Sequence, residues 1–97
     1  MSMHGRVILA RMVELIDQCE AGRVKLPRLL EDLQWMYESL EPSEQPPERA
    51  WLDNFIPLDR VTAASSHAPH DQREMSGRIE AHLARLRRLI NRQRPAA

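Results

Sequence analysis

Ninety-seven residues suffice for one domain, and dividing them would leave no piece able to bury a useful core. Formal net charge is zero and 42% of the residues are hydrophobic, a balance suited to a globular fold, while no stretch approaches the ~18 apolar residues that a transmembrane helix requires. A lone cysteine, Cys19, excludes an intramolecular disulfide, and the opening MSMHGRVILARMVELIDQ lacks the unbroken apolar core of a signal peptide, so a reducing cytoplasmic setting is expected.

The charge is unevenly spread. Residues 1–60 hold eleven carboxylates against seven Lys or Arg, a balance of −4, and residues 61–97 hold three against seven, a balance of +4. The first part would attract a basic partner and the last part an acidic one. Only four aromatic residues are present, Trp35, Tyr37, Trp51 and Phe55, so Leu, Ile, Val and Met must fill most of the interior, as where helix packs on helix.

Three breaks punctuate the chain: Gly22, the segment EPSEQPP (Glu41–Pro47) and the segment SSHAPHD (Ser65–Asp71). Before the first, at about 100° per residue, Ile8, Leu9, Met12, Leu15, Ile16 and Cys19 share one side of a helix expected over about 5–21, and Gly22 supplies its left-handed stop. A second helix is expected over about 26–41. Pro27 suits its first turn, and Leu26, Leu29, Leu30, Leu33, Met36, Tyr37 and Leu40 form its apolar face. The third helical region carries Trp51, Leu52, Phe55, Leu58 and Val61, and Pro57 predicts a break or kink near Ile56. The last helix is expected from about Asp71, with Asp71 and Glu74 spaced as a capping box, to about Arg92, leaving 93–97 frayed. Its apolar side is Met75, Ile79, Leu83, Leu86, Leu89 and Ile90. The fold class that follows is all-α, a compact single-domain bundle of four to five amphipathic helices.

Catalytic chemistry finds little support. His67 and His70 flank Pro69 in a loop without carboxylate or thiolate at ligand spacing, His4 is near a terminus, and His82 lies on an apolar helix face, so no metal is expected. Cys19 falls on a core face, where a thiol is inert packing, and no glycine-rich phosphate loop is present, so neither a cofactor nor a catalytic residue is expected. The last helix does carry Arg78, Arg85, Arg87, Arg88, Arg92 and Arg94. Arg85, Arg88 and Arg92 are spaced three and four apart as a basic stripe able to follow phosphates, although Glu80 interrupts the face and a merely solvated surface has the same pattern.

Trp35 breaks the apolar pattern of the second helix, since it projects almost opposite Leu33, between Glu31 and Glu38. An outward indole ringed by charge is the composition of an interface anchor. The partner-binding surface expected from this reading is Arg28, Glu31, Asp32, Trp35, Glu38, Glu41, Glu44, Glu48 and Asp53. The alternative is that another helix, or the loop at 42–47, covers the ring.

The order of segments GRVKLPRLLEDLQWMYESLE (Gly22–Glu41), PSEQPP (Pro42–Pro47), WLDNF (Trp51–Phe55), LDRVTAA (Leu58–Ala64) and IEAHLARLRRLI (Ile79–Ile90) resembles the small all-helical immunity proteins of contact-dependent growth inhibition and related polymorphic-toxin systems. The chain departs from that pattern at Arg23, at Lys25 and at Pro57. The resemblance implies a cytoplasmic, non-enzymatic inhibitor that binds a cognate toxin domain one to one, a nuclease by preference, and occludes its active site, with no membrane, nucleic acid or small molecule as partner. The alternative reading is a helical adaptor or regulator that self-associates or binds nucleic acid through the arginine-rich last helix, and a third is an orphan enzyme subunit.

Overall fold

Apolar side chains repeating at helical spacing, interrupted by Gly22 and by the prolines at 42–47, give four helices: α1 (Met3–Glu20), α2 (Leu26–Ser39), α3 (Glu48–Ser65) and α4 (Gln72–Gln93). The structure is a computed structural model that describes residues 3–65 and 72–94, and within them all side chains but those of residues 3, 64, 65 and 72–76. The expected Asp71–Glu74 capping box, the core position of Met75 and the histidines at 67 and 70 fall outside the described residues.

The end of α1 and both ends of α2 have local causes. At the end of α1, Gly22 takes a φ of 80°, and its N–H bonds the Cys19 carbonyl at 3.0 Å while the Arg23 N–H reaches the Gln18 carbonyl at 2.9 Å. These paired bonds satisfy carbonyls that a helix terminus otherwise leaves open, and glycine adopts the left-handed backbone they need without a Cβ penalty. Pro27 sits in the first turn of α2, where its missing N–H costs no bond. The far end of α2 is closed by the Leu40 N–H on the Tyr37 carbonyl and by the Gln45 side-chain amide, which donates to the same oxygen at 2.9 Å.

The break expected at Pro57 is absent: α3 runs as one helix from Glu48 to Ser65 with Pro57 inside it. Proline at this place removes the bond that would reach the Asp53 carbonyl. Asp53 is exposed, so water can serve that oxygen, while Trp51 and Leu58 are fully buried on the other side and hold the helix to the bundle. Packing outweighs the lost bond.

The helices succeed one another around a common core. α1 packs on α2, α2 on α3, α3 on α4 and α4 back on α1, whereas among the described residues no Cα of α2 comes within 8 Å of one in α4, so these two lie diagonally apart. Leu9, Met12, Ile16, Leu29, Leu33, Leu58, Leu83, Leu86 and Ile90 fill the interior. The aromatic residues concentrate at the α2–α3 seam, where Trp51 stacks on Tyr37 with ring centroids 4.7 Å apart and continues to Phe55 at 6.0 Å. The Trp51 indole N–H is buried without a hydrogen-bond partner among the described residues. An orphaned donor costs about 1–3 kcal/mol, but burying a ring of about 200 Å² returns roughly 5 kcal/mol, so the stack prevails. Among the described residues no helix is long and apolar enough to cross a membrane.

The Tyr37 hydroxyl donates to the Pro46 carbonyl at 2.9 Å in a buried setting, tying the 41–47 segment to α2. Replacing Tyr37 by Phe strands that carbonyl. We expect a loss of about 1–3 kcal/mol in urea denaturation with the helical circular-dichroism signal retained; a change below about 0.5 kcal/mol would show that the hydroxyl bond contributes little.

Candidate nucleic-acid interface

The tertiary structure separates the arginines of α4 into two roles. Arg87, partly buried, donates to Asp17 at 2.6 Å and also to Glu20, both on α1, and so joins α4 to α1. Arg85, Arg88 and Arg92 are exposed and make no ion pair with any described residue. Their spacing of three and four puts them on one side of α4. That side meets α3, and the three guanidinium groups line a cleft of about 160 Å³ together with Asn54 and Leu89.

Asn54 is held rigidly at the wall of this cleft. Its amide nitrogen donates to the Ala50 carbonyl at 2.9 Å, which leaves its oxygen, 3.2 Å from the Nδ1 of His82, as an acceptor. His82 Nδ1 therefore carries the proton of the neutral ring. Burial lowers the His82 pKa below its ordinary 6.5, and the positive charge of Arg85 lowers it further. The ring is neutral at pH 7, and the net positive charge of the cleft belongs to the arginines. Unpaired guanidiniums beside a fixed amide form a receptor for anionic oxygen: each planar fork can grip a phosphate through two N–H groups, and Leu89 supplies an apolar floor.

The expected partner surface around Trp35 is only partly assembled. Trp35 is 71% exposed, so neither a helix nor the 42–47 loop covers it. Around it, Arg28 bonds Asp32 at 3.2 Å, and Glu38 accepts from Gln34 at 2.8 Å. Glu31, Glu38, Glu41 and Glu48 are all exposed. Asp53 is exposed too, but lies about 160° around α3 from Phe55 and so faces away from α2.

Glu44 does not belong to that surface. It is 4% exposed, and its carboxylate lies against Gly5 in the first turn of α1, so closely that a Cβ at Gly5 would occupy the same space. The amino end of a helix carries partial positive charge from its unbonded N–H groups, which suits a carboxylate placed there. Composition gave no sign of this, because the contact joins residues far apart in the chain. Asn54 was also missed: nothing in its sequence neighbourhood distinguishes it from any polar helix residue, and only the approach of α4 brings His82 to its amide oxygen. Among the described residues no group of three or more His, Cys, Asp or Glu is placed to hold a metal ion.

Comparison with known proteins bears directly on these surfaces. The chain is 33% identical over 66 residues to the large ribosomal subunit protein uL23c of Physcomitrium patens, an alignment covering 68% of this chain and 71% of that protein. The chain belongs to the uL23c ribosomal protein family. No protein-family profile matches it, and no solved structure does. Membership in the uL23c family overturns the reading as an immunity protein of contact-dependent growth inhibition, and with it the one-to-one toxin complex and the exclusion of nucleic acid as a partner. The misleading resemblance rested on leucine and aromatic spacings, which report how helices pack and carry no information about a partner.

The His82 environment predicts a pH dependence. Because the folded pKa lies below 6.5, the unfolded chain binds more protons at mildly acid pH, and stability falls as pH drops from about 6.5 toward the folded pKa. Urea denaturation at about pH 7.5 and about pH 5 should show a smaller acid loss for His82→Gln than for the parent chain. Equal losses in the two proteins would remove His82 as the cause.

Proposed function

We propose that this protein acts by binding RNA within a large ribosomal subunit, through the arginine cleft between α3 and α4, and that it catalyses no reaction. The observation that carries this reading is the set of three unpaired guanidiniums, Arg85, Arg88 and Arg92, gathered with Asn54 on one cleft, in a chain whose relative is a large-subunit ribosomal protein. Arg87 shows what a structural arginine looks like here, engaged by two carboxylates. Its three neighbours lack such partners among the described residues.

Phosphate contacts would position the chain on folded RNA, since an arginine stripe follows the backbone with little regard to base identity. Asn54 could add a hydrogen bond to a 2′-hydroxyl or a base edge, with its side chain already fixed by Ala50 and His82. The chain would work wherever ribosomes reside, in a reducing compartment such as the cytoplasm. Cys19 is a free thiol there, and burial raises its pKa and keeps it unreactive.

The test is binding of large-subunit ribosomal RNA, followed by fluorescence anisotropy across a salt series. Changing Arg85, Arg88 and Arg92 together to Ala should weaken binding and reduce the slope of log K against log salt by about 2–3, near 0.7–0.9 per lost phosphate contact. The melting temperature should stay close to that of the parent, because these side chains are exposed. An unchanged salt slope would place the RNA contact elsewhere.

A further inference from the structure

A second surface lies away from the arginine cleft, because α2 and α4 occupy opposite corners of the bundle. A groove of about 300 Å³ runs between α2 and α3, floored by Pro27, Leu30 and Phe55 and rimmed by Glu31 on one side and Asp59 on the other. Neither of these rim carboxylates has an ion-pair partner among the described residues. Trp35 stands one helical turn beyond Glu31 on the same edge, 71% exposed. Glu38 of α2 and Glu48 of α3 are exposed as well, and Glu48 is near enough to Tyr37 to add to the upward shift that burial gives its phenol.

A large indole in water forgoes burial that it would gain against a partner. The negative rim repels RNA, so the charge that suits the α3–α4 cleft to phosphate is reversed here. Apolar floor, acidic rim and a flanking indole together match one kind of occupant: an extended polypeptide carrying alternate basic and apolar side chains. Its apolar residues would enter over Leu30 and Phe55, its cations would meet Glu31 and Asp59, and one guanidinium could lie over the face of Trp35. We propose that the α2–α3 groove, with Trp35 at its edge, docks a basic segment of another protein. This site is independent of the RNA reading.

The experiment uses the full chain and a fluorescein-labelled peptide of alternating arginine and leucine, with an alternating glutamate–leucine peptide of equal length as control. The arginine peptide should bind and the glutamate peptide should not. Trp35→Ala, and separately the pair Glu31→Gln with Asp59→Asn, should each weaken binding about tenfold or more, the scale of an interface anchor. Melting temperature should hardly move, since all three positions are exposed. Trp51→Phe leaves Trp35 as the only indole, whose emission should then shift to the blue on peptide binding. The triple Arg85, Arg88 and Arg92 to Ala variant should bind the peptide as the parent does, whatever it does to RNA. Equal binding of the two peptides, undiminished affinity in Trp35→Ala or in the Glu31–Asp59 pair, or a large fall in melting temperature for Trp35→Ala would each overturn the proposal. So would displacement of the peptide by RNA in the triple variant lacking Arg85, Arg88 and Arg92, which would assign the groove to nucleic acid.

Discussion

Burial of Trp51 against Tyr37 and Phe55 sets the rotation of α3 about its own axis, and both functional surfaces depend on that rotation. With Trp51 turned into the core, Phe55 and Asp59 face α2 and line one groove, while Asn54 faces α4 and lines the other. A single helix thus supplies one wall to each. The buried Tyr37 hydroxyl bond to Pro46 reinforces the same seam by fixing the connection that delivers α3 to it. The strength of this packing also explains why α3 continues through Pro57: the backbone bond lost at Asp53 lies on the solvent side, and the apolar contacts lie on the other.

The uneven charge of the chain becomes spatial separation in the fold. The diagonal arrangement of α2 and α4 sets the acidic rim near Trp35 and the arginine cleft on different flanks. Arg28–Asp32 and Arg11–Glu14 pair within their own helices, and Asp17 and Glu20 draw Arg87 of α4 into a structural pairing with α1. That pairing joins α4 to α1 while Arg85, Arg88 and Arg92 face outward beside α3. Segregation of this kind lets a nearly neutral chain present a strong local field to each of two partners.

Much of the candidate site was visible in one dimension, and some of it was not. The arginine stripe could be read from its spacing, and the outward indole from its place opposite Leu33 on the helical wheel. Which arginines were engaged could not be read, because the carboxylates that hold Arg87 lie 67 and 70 residues away in the chain. Glu44 looked like one more acidic surface residue in a polar loop, yet it is buried against Gly5 at the start of α1. The likeness to immunity proteins failed for a related reason. Leucine periodicity specifies that helices pack, and unrelated bundles converge on it, whereas partner choice depends on exposed groups that such patterns leave unconstrained.

The amino-acid sequence alone determined the helical class, the bounds of three of the four helices to within a few residues, the left-handed stop at Gly22 and most of the core, because each follows from local backbone preference and the 3.6-residue period. It also determined that the last helix would be basic and that Trp35 would lie opposite the apolar face of α2, while leaving open whether another segment covers the ring. Tertiary structure alone decided the continuity of α3, the burial of Glu44, the pairing of Arg87 and the meeting of Asn54 with His82. These are outcomes of contacts between distant segments, where the energy of packing and of charge pairing exceeds local preference, and no window of sequence contains both partners.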